Sequence, residues 1–267
     1  MSQETGARLR SLYEPQGGVR AIFSSKVADY CASRPDYPPQ LFEALQSCCN
    51  LDGTSLIADV GAGTGLLTRG LLERGYRVVA VDPNPQMRAA CDHYVGAAEG
   101  YRSVEGCAEE MPLPPASVNL ITAAQAFHWF EVERARAECL RVLRPDGQIA
   151  LIWNDRLSTD PLHCALDDLF ADFGGAKRSA LAAHQDRSDV PRFFGHARPA
   201  EFTWPHEHLL DQDGLLSLAL SRSYMPERDS TPGQQVGVRV GEVFAALAVA
   251  GRICVRYTTI AIVGRPQ

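Results

Sequence analysis

The residues best suited to chemistry form a glycine-rich turn near residue 60. The chain there reads Asp59-Val60-Gly61-Ala62-Gly63-Thr64-Gly65. Glycines between a strand and a helix let a small ligand approach the backbone and the helix N-terminus. A dinucleotide-binding G-x-G-x-x-G pattern fails in both frames, because Leu66 and Thr68 stand where its third glycine is required. The carboxylate of Asp59 beside the turn favours a cationic ligand over a pyrophosphate.

A second acid, Asp82, follows the next predicted strand. It lies close to the ~20-residue spacing at which adenosine-binding α/β folds place an acceptor for the ribose hydroxyls. Alternatively, Asp82 could cap the helix that follows. However, Asn84 and Pro85 already have the residue types of an N-cap and a first helical turn. The pattern therefore predicts that Asp82 binds a ribose.

Alternating strand and helix patterns between residues 51 and 153 position these side chains. The predicted strands cover about 56–60, 76–81, 101–105, 118–123 and 148–153. The predicted helices run from the glycine turn to Gly75, from Asn84 to about Tyr94, and from Glu131 to Leu143, and a turn at 144–147 precedes the fifth strand. Strands separated by helix-length connections predict βαβ units and a parallel sheet.

The flanking segments have a different pattern. Further strands are predicted near 202–210 and 253–263, with helices near 212–221 and 235–250. No linker is long enough to separate independent domains, so we expect a single domain over residues 1–267. Its parts are a helical lid (1–50), a core (51–156) completed by strands at about 201–210 and 253–263, and cap segments (157–199 and 211–235).

Composition narrows the class of protein. The chain has 267 residues and a formal charge of -6, with 32 acidic residues against 26 basic ones. Without a basic run there is no electrostatic footprint for nucleic acid or anionic lipid. The chain also lacks a secretory h-region, a membrane-length apolar stretch and any C-x-x-C zinc motif. We therefore expect a cytoplasmic protein with reduced thiols that binds neither nucleic acid nor membrane; the oligomeric state stays open.

At these residues the chain resembles the class I S-adenosylmethionine-dependent methyltransferases, and most closely the small-molecule branch that includes trans-aconitate methyltransferase-like enzymes. Beyond the glycine turn and Asp82, the resembling segments are residues 34–38, 106–114, 125–130, 141–147, 151–154, 221–224 and 257–259. The resemblance implies an α/β fold: a Rossmann-like seven-stranded, mostly parallel sheet with an antiparallel last strand and a helical cap. It also implies S-adenosyl-L-methionine as the cofactor.

The resemblance further implies where the cofactor binds. The methionine part is expected at the three glycines, with its ammonium near Asp59 and with Gln125 along its border. The full set of expected cofactor residues is Asp59, Gly61, Gly63, Gly65, Asp82, Pro83, Met87, Cys107, Ala108, Glu109, Gln125, Tyr30 and Arg34. One position departs from the common family pattern, because Cys107 stands where an aspartate often accepts from the adenine amino group. Cysteine is a poor acceptor, so either Glu109 replaces that contact or the contact is lost.

Methyl transfer to a carboxylate needs positioning rather than a base, whereas an alcohol or phenol acceptor also needs a general base. His128 is the predicted catalytic base, and its alternative role is to shape the pocket. Arg34 could clamp a carboxylate of either the cofactor or the substrate. The predicted substrate-binding residues are Tyr13, Tyr37, Trp129, Trp153 and Tyr224.

The leading hypothesis is methyl transfer to an oxygen, carboxylate or hydroxyl, of a small-molecule metabolite. The alternatives are N- or C-methylation of a small molecule and a catalytically silent cofactor-binding module. The segment 125–128 lacks the [DN]-P-P-[FY] motif typical of DNA-base amino methylation. A nicotinamide oxidoreductase is disfavoured by Leu66.

Overall fold

The computed structural model describes residues 18–184 and 187–267, together with Ser11 and Glu14. Its strands are, in chain order, β1 (Leu56–Val60), β2 (Arg77–Val81), β3 (Tyr101–Val104), β4 (Val118–Ala124), β5 (Leu143–Arg156), β6 (Ala200–Leu210) and β7 (Ile253–Gly264). Its helices are α1 (Gly18–Ser33), α2 (Pro39–Cys48), α3 (Leu66–Leu72), α4 (Pro85–Val95), α5 (Val132–Val142), α6 (Pro161–His184), α7 (Val190–Phe194), α8 (Gln212–Leu220) and α9 (Thr231–Leu247). A short 3₁₀ helix covers Phe127–Trp129.

The strands form one sheet in the order β3-β2-β1-β4-β5-β7-β6. Strands β1 to β5 are parallel, and β7 runs antiparallel to both of its neighbours, β5 and β6. The predicted fold class is therefore confirmed. The strand order reverses between β1 and β4, and in doubly wound sheets ligands bind at the carboxyl ends of the strands beside such a reversal.

The sheet has an apolar layer on each face. Along β1, Ala58 and Val60 belong to one buried cluster, while Ile57 belongs to the cluster on the opposite face. Because successive side chains of a strand point to opposite faces, a strand covered on both sides is largely apolar, as β1 is apart from Asp59. Leu41 and Leu45 of α2 belong to the same cluster as Ile57, which holds this N-terminal helix against the sheet.

A third buried cluster joins α6, α8 and α9 to the first half of β7. On α6 its members are Leu162, Leu166, Leu169 and Phe170, whose spacing places them on one face of the helix. The segments predicted to cap the sheet thus pack on its antiparallel side. One consequence for the site is that the fully buried Phe170 of α6 lies next to Arg156, the last residue of β5.

Two predictions of local structure were wrong. The expected turn at 144–147 lies inside β5, which begins at Leu143 and takes up the extra residues as a register shift opposite β4. The last helix begins at Thr231 rather than Gln235, because the Ser230 hydroxyl accepts a hydrogen bond from the Gly233 N–H and caps it. It also ends earlier, at Leu247.

Candidate active site

The glycine turn needs its glycines for two different reasons. Gly61, Gly63 and Gly65 have φ of 69°, 56° and 88°, in the left-handed region that glycine adopts without a steric penalty. At Gly61 space is limiting as well, since a Cβ there would lie 2.5 Å from the Cβ of Ala126. The turn therefore packs directly against the segment that follows β4.

Asp82 ties the end of β2 to this turn. One carboxylate oxygen accepts from the Gly63 N–H at 2.9 Å, and the other accepts from the Asn84 N–H at 2.8 Å. Asn84 itself caps α4 by accepting from the backbone of Gln86 and Met87, as predicted. Asp82 therefore joins the turn to the start of α4, at the place where the sequence predicts a ribose acceptor.

A cavity of about 320 Å³ opens above this turn. Ten of the thirteen expected cofactor residues line it: Tyr30, Gly61, Gly63, Asp82, Pro83, Met87, Cys107, Ala108, Glu109 and Gln125. Sequence reasoning missed Val60, Asn84, Ala124, Ala126 and Phe130, which also line it. These five residues are neighbours of predicted residues and form part of the cavity wall. We call this space the cofactor cavity.

Three expected cofactor residues do not line the cofactor cavity. Asp59 lies beneath the turn, 1% exposed, where its two oxygens accept from the hydroxyls of Thr68 and Thr122. Burial raises the pKa of the Asp59 carboxyl to about 6 despite these two hydrogen bonds. Gly65 faces α4, where a Cβ would meet the Cys91 sulfur. The third residue, Arg34, lines a second cavity.

At the expected adenine end, the departure at Cys107 has a structural counterpart. Glu109 accepts from the Glu131 N–H at 2.6 Å, while Cys107 pairs through its backbone with Glu110. Burial, followed by a hydrogen bond with Glu109, raises the pKa of the Cys107 thiol. A neutral thiol beside a carboxylate that is already engaged leaves this end of the cavity weakly polar.

The second cavity, of about 280 Å³, lies alongside the first, and we call it the acceptor cavity. Its lining includes Tyr37, His128, Trp129, Trp153 and Tyr224, all predicted to bind or act on substrate. Tyr13, the remaining predicted substrate residue, lies outside the described residues. The ring centroid of His128 lies 4.8 Å from that of Trp129.

Three side chains, Tyr30, Gln125 and Trp129, line both cavities and so mark the opening between them. Gln125 adopts a φ of 56°, an uncommon backbone conformation for a residue with a side chain. The backbone N–H of Gln125 donates to the carbonyl oxygen of Ile152 on β5 at 2.9 Å, and this hydrogen bond holds the backbone conformation. Strained residues of this kind concentrate at functional sites.

The acceptor cavity also contains residues that the sequence did not single out. Arg156, Arg222 and Tyr257 line it, and each comes from a different segment of the chain. Segments 221–224 and 257–259 resembled the family, but no local pattern assigns these side chains a role. Together with Arg34 they give this cavity three guanidinium groups.

The described residues contain neither a metal-binding cluster nor a membrane-spanning helix. Among residues 11, 14, 18–184 and 187–267, no cluster of histidine, cysteine and acidic side chains is suited to a metal ion. Across the same part of the chain, every helix is too short or too polar to cross a bilayer.

Comparisons with known proteins identify the family of this chain. Residues 58–151 match the family model described as a methyltransferase domain. The chain is similar to an uncharacterized methyltransferase of Mycobacterium tuberculosis, with 34% identity over 90% of this chain and 93% of that one. Over about a third of each chain it is 41% identical to malonyl-[acyl-carrier protein] O-methyltransferase of Methylococcus capsulatus. A solved structure of a proposed type II methyltransferase from Anaeromyxobacter dehalogenans superposes with a TM-score of 0.57 at 25% identity, covering 88% of this chain and 99% of that one.

The cofactor cavity fits an adenosine that carries an amino-acid tail. The turn at Gly61 and Gly63 leaves backbone accessible, Asp82 lies beside it as an acceptor, and Met87 and Ala108 supply apolar walls. A lysine of the phosphate-binding type is absent from the turn. Because a relative matches over most of its length and a methyltransferase domain model matches as well, the chain belongs to the methyltransferase family. Its cofactor is S-adenosylmethionine.

Proposed function

We propose that this methyltransferase esterifies a carboxylate oxygen of a small-molecule metabolite. The observation that carries the proposal is the charge of the acceptor cavity, which Arg34, Arg156 and Arg222 line. Such a cavity attracts an anionic substrate and keeps its carboxylates ionised, and Arg34 lies 4.7 Å over the ring of Tyr30 at the opening to the cofactor cavity. It also disfavours a protonated amine, which supports O- over N-methylation.

The size of the cavity and the comparisons support a small acid. A volume of about 280 Å³ lies near the lower end of the ~300–1,000 Å³ typical of small-molecule pockets. The similar Methylococcus capsulatus protein is named for O-methylation of malonyl-[acyl-carrier protein], whose malonyl group ends in a carboxylate. The sequence resemblance to trans-aconitate methyltransferase-like enzymes favours a small acid as well.

The chain's own contribution to the reaction is positioning. When bound, S-adenosylmethionine supplies a methyl carbon made electrophilic by its positively charged sulfur. A carboxylate acceptor would become a neutral ester without releasing a proton, so the chain would not have to supply a base. Tyr30, Gln125 and Trp129 frame the opening across which acceptor and cofactor would meet.

A hydroxyl acceptor is the second candidate, and His128 is the observation that favours it. His128 lines the acceptor cavity beside Trp129, where it could take the proton that a hydroxyl must lose. For a carboxylate acceptor, His128 instead positions the oxygen and has no proton to remove.

One experiment tests the proposal and separates the two candidates. The enzyme is incubated with methyl-labelled S-adenosylmethionine and a panel of small carboxylic acids, phenols, alcohols and amines, and product masses are read. We expect methyl esters, and His128→Gln should lower kcat no more than a few-fold, without a change in the pH profile. Methylated amines would contradict the proposal. A large loss of kcat with His128→Gln, together with a phenol or alcohol ether as product, would instead establish the second candidate.

A further inference from the structure

Arg156, Arg222 and Tyr257 converge at one end of the acceptor cavity. Arg156 ends β5 and Tyr257 lies directly opposite it on β7, so the two side chains share a face of the sheet. Arg222 reaches the same place from the segment that follows α8. Three distant parts of the sequence thus present hydrogen-bond donors to one space.

These donors are buried and lack partners among the described residues. The Nη1 of Arg156, the Nε of Arg222 and the hydroxyl of Tyr257 each have no hydrogen bond there. Tyr257 is only 4% exposed. An unsatisfied buried donor destabilises the fold, and more so when it is charged. Three of them lining one cavity indicate an acceptor-rich ligand.

The charged residues around this end of the cavity indicate that the ligand is an anion. The Arg156 and Arg222 guanidinium carbons lie 5.2 and 4.7 Å from the centroid of the same ring, Phe170. Arg156 forms an ion pair with Asp167 at 2.8 Å, whereas Arg222 has no ion pair within the described part of the chain. Asp167 itself does not line the cavity, and Asp155, the acid that does, is engaged by Arg187. Two like charges over one ring, with one compensating acid, favour an anion between them.

This anion site lies away from the opening to the cofactor cavity. Gln125, at the opening, donates from its side-chain amide to the Asn154 carbonyl oxygen at 3.4 Å. Arg156 is two residues further along β5, which corresponds to about 7 Å of extended strand. None of Arg156, Arg222 and Tyr257 lines the cofactor cavity, whereas Arg34 lies 4.7 Å over the ring of Tyr30, which does. The distal donors are therefore separate from the group that accepts the methyl.

We propose that Arg156, Arg222 and Tyr257 form a distal subsite for a second anionic group of the substrate, so that the acceptor molecule is at least a dianion. The group is a carboxylate or a phosphate, because both accept several hydrogen bonds from guanidinium and hydroxyl donors. The inference rests on the proposed function only in taking this space as the acceptor cavity. Arg156, Arg222 and Tyr257 then act in specificity: they hold one end of the substrate while its other end meets the methyl.

Binding to the S-adenosylhomocysteine complex, measured by calorimetry, tests the subsite without requiring turnover. The probes are matched pairs of equal length, butyrate with succinate and hexanoate with adipate, and 3-phosphonopropanoate with succinate separates phosphate from carboxylate. Inorganic sulfate is added as a probe that does not depend on chain length. We expect each dianion to bind at least 10-fold more tightly than its monoanion partner.

Two variants keep the test informative if one folds poorly. Arg222→Ala removes a charge, and Tyr257→Phe removes only a hydroxyl from a buried ring. In each variant, the ratio of dianion affinity to monoanion affinity should fall at least three-fold towards one. The affinity for S-adenosylhomocysteine should stay unchanged. The matched control is Arg239→Ala, which lies on the exposed face of α9 and pairs with Asp172. This variant should preserve the ratio.

The outcomes separate this inference from the proposed function. Equal binding of mono- and dianions, no binding of any anionic probe, or an unaltered ratio in both variants would overturn the subsite. Ester formation on monocarboxylates with no dianion preference leaves the proposed function standing and rejects the subsite. Dianions that bind through Arg222 but are never esterified would support the subsite and reject the proposed function.

Discussion

The carboxylate of Asp82 accepts a hydrogen bond from the backbone N–H of Gly63 at 2.9 Å. This contact joins the end of β2 to the turn that follows β1, so the predicted ribose acceptor also shapes the predicted site for the methionine tail. The other Asp82 oxygen accepts from Asn84, whose side chain caps α4. One buried acid thus organises both loops of the cofactor cavity.

Replacing Asp82 with alanine should therefore weaken cofactor binding. Loss of a buried carboxylate that bonds both loop and ligand corresponds to roughly 1–3 kcal/mol, or about 5- to 150-fold in Kd. Calorimetry with S-adenosylhomocysteine measures the change. Asp172→Ala, on an exposed face of α6, is the matched control; an affinity that is unchanged in both variants would remove the assignment of Asp82.

Gly61→Ala should abolish cofactor binding and lower stability. The new Cβ would lie 2.5 Å from Ala126 and force alanine to a φ of 69°. Gly53→Ala is the matched control, because no atom lies within 4 Å of the added carbon and its φ is not in the left-handed region. Thermal unfolding with and without S-adenosylhomocysteine measures both effects. If the two variants behave alike, the steric account of the turn is wrong.

Asp59 should make stability fall as pH rises. Burial raises its folded pKa to about 6 from an ordinary value of 3.8, so the folded state binds its proton more tightly than the unfolded state. Its stabilising contribution is complete below pH 3.8 and is lost as pH rises through 6.

Asp59→Asn should remove this dependence. Thr68 and Thr122 hydroxyls can each donate or accept, so they can satisfy an amide in place of the carboxylate. We expect the variant to gain about 1–3 kcal/mol in free energy of unfolding at pH 8 and little at pH 4. Urea unfolding at the two pH values, with Asp172→Asn as control, measures it. A variant that is less stable at pH 8 would show that the charged form is favoured in the fold.

The helix α1 should be held over the site by a charged contact. Arg228 donates from Nε to the Asp29 carboxylate at 3.0 Å, and Lys26, 1% exposed, donates to the Pro226 carbonyl oxygen at 2.6 Å. Tyr30, next to Asp29, lines both cavities. Contacts with residues 226–228 therefore help to hold this helix over the site.

Arg228→Ala should loosen that helix, because it leaves the largely buried Asp29 without its ion-pair partner. We expect backbone amide hydrogen exchange in Gly18–Ser33 to rise up to about 10-fold, the effect of 1.4 kcal/mol. The measurement is exchange followed by mass spectrometry, compared with Arg239→Ala. Unchanged exchange in α1 would show that apolar contacts alone hold it.

The sequence by itself determined the features that depend on local physics. Alternating strand and helix periods specified the α/β sheet, the glycines specified the left-handed turn, and Asn84 specified the start of α4. It also selected most of the cofactor cavity, because those residues follow strand ends that a parallel sheet brings together at one edge. Each signal is short in range, so a single sequence contains it.

Only the tertiary structure decided the acceptor side and the role of Asp59. Arg156, Arg222 and Tyr257 meet because β7 inserts beside β5 and both arginines pack over Phe170 of α6, and neither relationship has a local signature. Asp59 looked like a ligand residue from its spacing, yet β4 places Thr122 against it and turns it into a buried support for the turn. Long-range pairing, rather than residue type, determines which polar groups meet and which donors remain without partners.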